Sequence, residues 1–244
     1  CTQYHRQIEL LDHYKKAGCY TVAGGSYVSL CPERYQLKAD TLICGEAEHI
    51  WPQFCKECPN PSSHYREVGD IELDEVPLPR FDLLKLDRYL YSTVQYSRGC
   101  PFACEFCDAI VIYGRRPRIK STEQILTELT FAYDQGARNF FFAEDNFFGH
   151  KPRAKNLLKE LISWQQGLAE PIKFGTELTI NAAHDDTMLE LLRKANFDWV
   201  FVDIPKRWWL HSSEGNDISL VRAPYNISSS RILVVIGNRE NIDI

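Results

Sequence analysis

From its first residues to about residue 204 the chain alternates between two apolar spacings. Ile8, Leu11 and Tyr14 recur at helical spacing, with Thr2 placed to cap the helix, Ala17 near its end and Gly18 as a stop. Cys19–Ala23 then reads as a short buried strand ending in Gly24-Gly25. Thr41–Cys44 reads as a second strand, and Gly45-Glu46-Ala47-Glu48 as the opening of a helix towards Phe54. Helix, strand, helical turn, strand, helix is a piece of a parallel α/β sheet, too short to be a whole doubly wound domain. Residues 59–90 read as a linker rich in proline and acid, with Pro59, Pro61, Pro77 and Pro79. Val76, Leu78, Phe81, Leu83 and Leu84 are too apolar to hang free and are expected to pack along the next domain.

A second run of strand and helix begins at Tyr91. Tyr91–Ser97 is predicted as strand one. Ser121-Thr-Glu-Gln124 has the form of a capping box, and the helix after it puts Ile125, Leu126, Leu129, Ala132 and Tyr133 on one face before Gly136. Arg138–Ala143 is strand two, continuously apolar at Phe140-Phe-Phe142 as a buried parallel strand is. A helix over about Arg153–Gln165 turns Leu157, Leu158, Leu161 and Ile162 inward, and Ile172–Leu178 is strand three. Asp185 or Asp186 caps a helix to Ala195 that buries Met188, Leu189, Leu191 and Leu192, and Trp199–Ile204 is strand four. Four (β/α) units in a row imply a parallel barrel or part of one, with chemistry at the C-terminal ends of the strands. From Pro205 to Ile244 this pattern stops; within that tail Arg231–Ile236 alone reads as a strand.

Charge and composition narrow the function classes. The 244 residues carry a net charge of −5, so no general basic surface invites nucleic acid. No apolar run approaches the roughly 20 residues that span a bilayer, and no stretch of these residues reads as a signal peptide. Nine cysteines are many for this length. Their clustering points to metal in a reducing, cytoplasmic compartment and away from disulfides. Cys1 stands directly inside a helical pattern, which reads as a fragment lacking its true N-terminus.

The cluster is Cys100-Pro-Phe-Ala-Cys104-Glu-Phe-Cys107, at the end of strand one. Thiolates are soft ligands suited to iron–sulfur clusters or zinc. A cubane cluster usually takes four cysteines, so three leave one iron open to a small molecule. Buried core cysteines have no reason to keep CxxxCxxC spacing, and zinc motifs favour paired CxxC or CxxC with histidines. Cys55-Lys-Glu-Cys58 has no second pair behind it and reads as incidental. Strand two ends at Glu144-Asp145-Asn146, where a carboxylate suits an ammonium or metal-bound amine, or caps a turn. Glu177, a charge in apolar strand three, needs a partner: a cofactor ribose, a substrate or an interior salt bridge. Arg115, Arg116, Arg118 and Lys120 read as a solvated face, or as a clamp on a carboxylate or phosphate.

The cysteine motif resembles the signature of the radical S-adenosylmethionine (radical SAM) superfamily. The flanking Val76-Pro-Leu-Pro-Arg-Phe-Asp-Leu-Leu and Arg115-Arg-Pro-Arg-Ile-Lys-Ser resemble the branch with an N-terminal cobalamin-binding domain. The resemblance covers roughly Gln3–Asp203. It implies an α/β fold: part of a Rossmann-like, cobalamin-binding-type domain over 1–58, the linker 59–90, about four units of a (β/α) barrel over 91–204, and a divergent tail over 205–244. It implies a 4Fe–4S cluster on Cys100, Cys104 and Cys107, with the free iron chelating S-adenosylmethionine. Phe106 then lies near the adenine, Glu144 and Asp145 near the cofactor's amino group, and Glu177 near cofactor or substrate. The family's Gly-Gly-Glu form of that second motif is absent here. Gly24 and Gly25 match a glycine pair that approaches the corrinoid tail, but the upstream Asp-x-His-x-x-Gly motif is missing, so cobalamin is expected only in a full-length parent. The implied reaction is reductive cleavage of S-adenosylmethionine, starting radical chemistry on an unknown small molecule with electrons from a flavodoxin or ferredoxin. With about four of six barrel strands present, turnover is expected to be impaired. The alternative is a truncated iron–sulfur or zinc protein without catalysis.

Overall fold

The computed structural model describes residues 3–67, 71–102, 104, 107–203, 219–221 and 231–235. They form two units. The first takes Cys1–Val76, Gly99–Ala103 and Cys107–Arg116, and the second takes the remainder.

In the first unit, α1 (Tyr4–Lys16), β1 (Val22–Gly24), α2 (Ser26–Leu30), β2 (Thr41–Cys44), α3 (Ile50–Glu57) and β3 (His64–Arg66) precede a later helix, α4 (Ala109–Tyr113). The three strands form a parallel sheet in the order β1-β2-β3. β2 is buried along its whole length, and its alternation divides the core. Leu42 and Cys44 join Ala23, Val28, Tyr35 and Ala39, covered by Tyr4, Ile8 and Leu11 of α1. Ile43 turns the other way, to Ile50 and Phe54 of α3 and to Tyr65. The helix expected from residue 2 is present, but its N-cap is Gln3, without a side-chain cap; Thr2 lies outside the described residues. β3 falls inside the stretch read as linker. Only Tyr65 of its three residues is buried, too few positions to show a strand period in the sequence.

The second unit contains β4 (Ser92–Val94), β5 (Ser97–Arg98), β6 (Arg118–Ile119), α5 (Thr122–Asp134), β7 (Asn139–Phe142), α6 (Lys151–Gln165), β8 (Lys173–Thr179), α7 (Asp186–Lys194), β9 (Phe197–Asp203), β10 (Ser219–Val221) and β11 (Arg231–Val235). Its main sheet runs β10-β11-β9-β8-β7-β4. β4, β7, β8 and β9 are parallel neighbours, as the βα alternation requires. The tail departs from that pattern. β11 adds antiparallel to β9, and β10 antiparallel to β11. Arg231–Val235 matches the strand read in the sequence, whereas Ser219–Val221 carries too short an apolar run to be seen.

One sheet face is the core. Phe140, Phe142, Phe174 and Phe197 are fully covered by Ile125 and Leu129 of α5, Leu157, Leu158 and Leu161 of α6, and Met188 and Leu192 of α7. Each such side chain contributes about 1.5–3 kcal/mol by leaving water. The helices begin where their capping groups stand. Ser121 Oγ accepts the N–H of Gln124 at 3.1 Å, and Asp185 Oδ1 accepts that of Met188 at 3.1 Å. Asp185, not Asp186, is the cap, and it also accepts from Lys155 Nζ at 2.8 Å. The opposite sheet face is aromatic and partly open. The Trp199 ring lies flat on Phe141, 5.2 Å between centroids with 7° between planes, and its Nε1–H donates to the Tyr91 hydroxyl at 2.8 Å.

Candidate cofactor site at the strand ends

The cysteine loop rises from a two-stranded antiparallel ribbon, with Ser97 opposite Ile119 and Arg98 opposite Arg118. Gly99 makes the narrow entry possible. Its φ is +90°, and a Cβ there would stand 2.7 Å from the Arg116 carbonyl oxygen. Beyond it, the Cys100 N–H donates to the Gly114 oxygen at 3.3 Å, and Arg115 Nη2 donates to the Pro101 oxygen at 3.1 Å. Cys100 is buried, and Cys104 and Cys107 are half-buried. Three thiols within eight positions are a donor set chemically suited to an iron–sulfur cluster. Among the described residues no three His, Cys, Asp or Glu side chains are gathered to ligating distance. Phe106 lies outside the described residues.

Glu144 directly follows the C-terminal end of β7's apolar run and turns inward, 5% exposed. Its Oε1 accepts the Tyr96 N–H at 2.5 Å and its Oε2 the Ser97 N–H at 2.7 Å, while the Ser97 hydroxyl also donates to Oε2. Burial pushes its carboxyl up to about 8, against the lowering effect of the Ser97 and Tyr96 hydrogen bonds, and Asp145 beside it raises it further. Asp145 is half-buried at the same strand end. Asn146 is buried and closes the turn, its Oδ1 accepting the Phe148 N–H at 3.1 Å. Glu177 is half-buried late in β8, and its carbonyl accepts the Phe147 N–H at 3.3 Å. By strand alternation Glu177 shares the open face with Gly175.

The basic run divides. Arg115 and Arg116 are exposed, and Arg116 pairs with Glu72 at 2.9 Å. Arg118 and Lys120, however, are each only 3% exposed, so the solvated face expected for the run does not extend to them. Lys120 Nζ donates to Glu128 Oε1 at 2.6 Å, and burial, partly offset by Lys120, raises the Glu128 carboxyl. Ser97 and Glu128 carry no distinguishing signal in the sequence. The helical period puts Glu128 on the same side as Ile125 and Leu129, and that position is the one available hint.

In the first unit, Gly24 ends β1 and Gly25, at φ +94°, starts α2. Ser29 Oγ donates to the Gly25 oxygen and accepts the Gly45 N–H, both at 2.8 Å. A Cβ on Gly45 would stand 1.6 Å from the Glu67 carbonyl, so this glycine, read only as a helix opening, is required by the fold. A cavity of about 200 Å³ opens beside it, lined by Ser29, Arg66, Glu67, Val111 and Ile112. Cys55 and Cys58 are exposed free thiols on and beside the last turn of α3.

Residues 94–205 match the Radical SAM superfamily. The chain is 40% identical over 201 residues to an uncharacterised methyltransferase of Synechocystis sp., covering 81% of this chain and 38% of that protein. It is 34% identical over 226 residues to the hopanoid C-2 methylase of Rhodopseudomonas palustris, covering 88% and 43%. The chain thus spans less than half the length of these relatives. Among solved structures, the radical S-adenosylmethionine methyltransferase TsrM of Kitasatospora setae superposes with a TM-score of 0.65 at 14% identity, covering 82% of this chain and 44% of that one. The cobalamin-dependent S-adenosylmethionine radical enzyme OxsB gives 0.64 at 19%, covering 83% and 34%. The matched span contains the cysteine loop, the last residue of β4, and the parallel strands β7, β8 and β9 with helices α5, α6 and α7. Residues 94–205 therefore form a radical SAM superfamily domain, and the chain has the fold of cobalamin-dependent radical SAM enzymes.

Proposed function

We propose that this chain is the cofactor-binding core of a radical SAM methyltransferase. The observation that carries this is the CxxxCxxC motif that follows the Ser97–Arg98 ribbon strand, inside the span that matches the superfamily. Cys100, Cys104 and Cys107 would hold a 4Fe–4S cluster, and Asp145 and Glu177 would present carboxylates to S-adenosylmethionine or substrate at the strand ends. When bound and reduced, the cluster supplies the electron that breaks a carbon–sulfur bond of S-adenosylmethionine. The sheet's part is to order the reactants and keep water out. Methyl transfer is favoured over other outcomes because the relatives above are named methyltransferases or methylases. An apolar ring-bearing acceptor suits the open face of Phe141, Trp199 and Phe201, and a hopanoid is what the methylase relative is named for.

Anaerobic reconstitution with iron and sulfide tests the reading. A four-iron spectrum is expected, lost on replacing Cys100, Cys104 or Cys107 with Ala and kept in Cys55→Ala and Cys58→Ala. A cluster that survives Cys104→Ala and disappears with Cys55→Ala overturns the assignment. The second reading is a metal-holding protein without turnover, favoured by the antiparallel addition of β11 and β10 where a barrel would continue with parallel strands. Reduced protein with S-adenosylmethionine decides between them: release of 5′-deoxyadenosine marks an enzyme.

A further inference from the structure

The entry to the cysteine loop is tied by one buried carboxyl group, that of Glu144. Tyr96 and Ser97 lead into the loop, with Gly99 and Cys100 immediately beyond. The N–H groups of both residues and the Ser97 hydroxyl are taken by Glu144. The Tyr96 carbonyl accepts the N–H of Lys120 at 2.8 Å, so the departing chain is fastened to the same residue. Lys120 is held in turn by its buried pair with Glu128. Both oxygens of Glu144 are thus occupied inside the protein. Turning outward would strand two backbone N–H groups.

We propose that Glu144 is a positioning residue for the cysteine loop and not a contact of the cofactor: its carboxylate fixes the backbone direction at Tyr96–Ser97, and through it the placement of Cys100. This rests on the reading of the loop as the cluster site. It differs from the role that the strand-end position alone implies, because a cofactor contact must be accessible, whereas Glu144 is 5% exposed and three of its roughly four acceptor positions are used by Tyr96 and Ser97.

The two roles separate in protein that holds no cluster. In the apo chain, the alkylation rate of each cysteine is followed by peptide mass spectrometry for wild type, Glu144→Gln and Glu144→Ala. Cys44, which is 0% exposed and remote in sequence, reports whether the fold is intact. Cys100 is expected to label at least about tenfold faster in Glu144→Ala and severalfold faster in Glu144→Gln, with Cys44 still protected. The amide keeps the size of the carboxylate but sets its NH2 against an N–H donor. Should Glu144→Ala unfold, so that Cys44 also labels, the isosteric Glu144→Gln decides. Wild-type labelling of Cys100 in a folded Glu144→Gln chain overturns the proposal. After reconstitution, the electron paramagnetic resonance spectrum of the reduced cluster is expected to differ between wild type and Glu144→Gln before any S-adenosylmethionine is added. A difference that arises only after its addition assigns Glu144 to the cofactor and overturns positioning. If wild type takes up no iron while Cys100 labelling still depends on Glu144, the loop's function has been misread but the mechanical role of Glu144 stands.

Discussion

Replacing Gly175 with alanine probes the open aromatic face at one atom. An added Cβ would lie 2.4 Å from Trp199 Cε2 and 2.5 Å from Cζ2, well inside contact distance. The indole cannot slide away freely, because it lies 5.2 Å from Phe141 in a near-parallel stack and its Nε1–H is held by Tyr91. Moving it forfeits the stack, about 0.5–1.5 kcal/mol, and the hydrogen bond, about 0.5–1.5 kcal/mol. Staying in place leaves an overpacked sheet at about 1–3 kcal/mol. Either route gives a loss of about 1–3 kcal/mol for Gly175→Ala, read as a lower urea midpoint with unchanged slope. Trp199→Leu in the same background should recover much of it, since the smaller side chain makes room, and the four-variant cycle yields the coupling directly. A loss below about 0.5 kcal/mol, or a cycle with no coupling, would refute the claim that this glycine exists to seat the indole.

Two further outcomes concern buried charges. Burial raises the Glu144 carboxyl in the folded state to about 8 from its ordinary value of 4.5, against the Tyr96 and Ser97 hydrogen bonds, so folding is expected to take up a proton between these limits. Stability should therefore fall as pH rises through that window, at most by about 1.4 kcal/mol per pH unit. Urea melts of wild type against Glu144→Gln isolate the effect, with neighbouring Asp145 common to both, and equal pH slopes would count against it. Lys120→Met leaves Glu128 buried without its cation and should cost about 3–5 kcal/mol. The double change Lys120→Met, Glu128→Leu should restore most of that in thermal melts, and a double variant no better than the single would contradict the pairing.

Elements whose burial repeats over several residues are legible in the sequence. β7 shows itself by three successive phenylalanines, and α5 and α7 by a capping side chain ahead of an apolar stripe. The cysteine loop is legible too, because ligand spacing is a local property. β3 is not, since one tyrosine between two exposed residues has no period. Nor can the inward turn of Glu144 be read. The strand pattern sets which face a residue takes, whereas what an acid beyond the strand's end bonds to depends on donors nearly fifty residues earlier in the chain. Lys120 misleads for a related reason: charge predicts solvent unless a buried partner exists, and Glu128 becomes its partner only once α5 is packed.

The antiparallel strands of the tail also bear on how copies of this chain behave together. Without them the sheet would end at β9, a seven-residue strand of largely apolar sequence with one side of its backbone unpaired. Such an edge is a template for the same strand of another molecule. β11 occupies it over five residues, and β10 then leaves an edge only three residues long. Whatever these strands do for a catalytic barrel, they shorten the surface through which the sheet could grow from molecule to molecule, and removing them should turn a discrete protein into an assembling one.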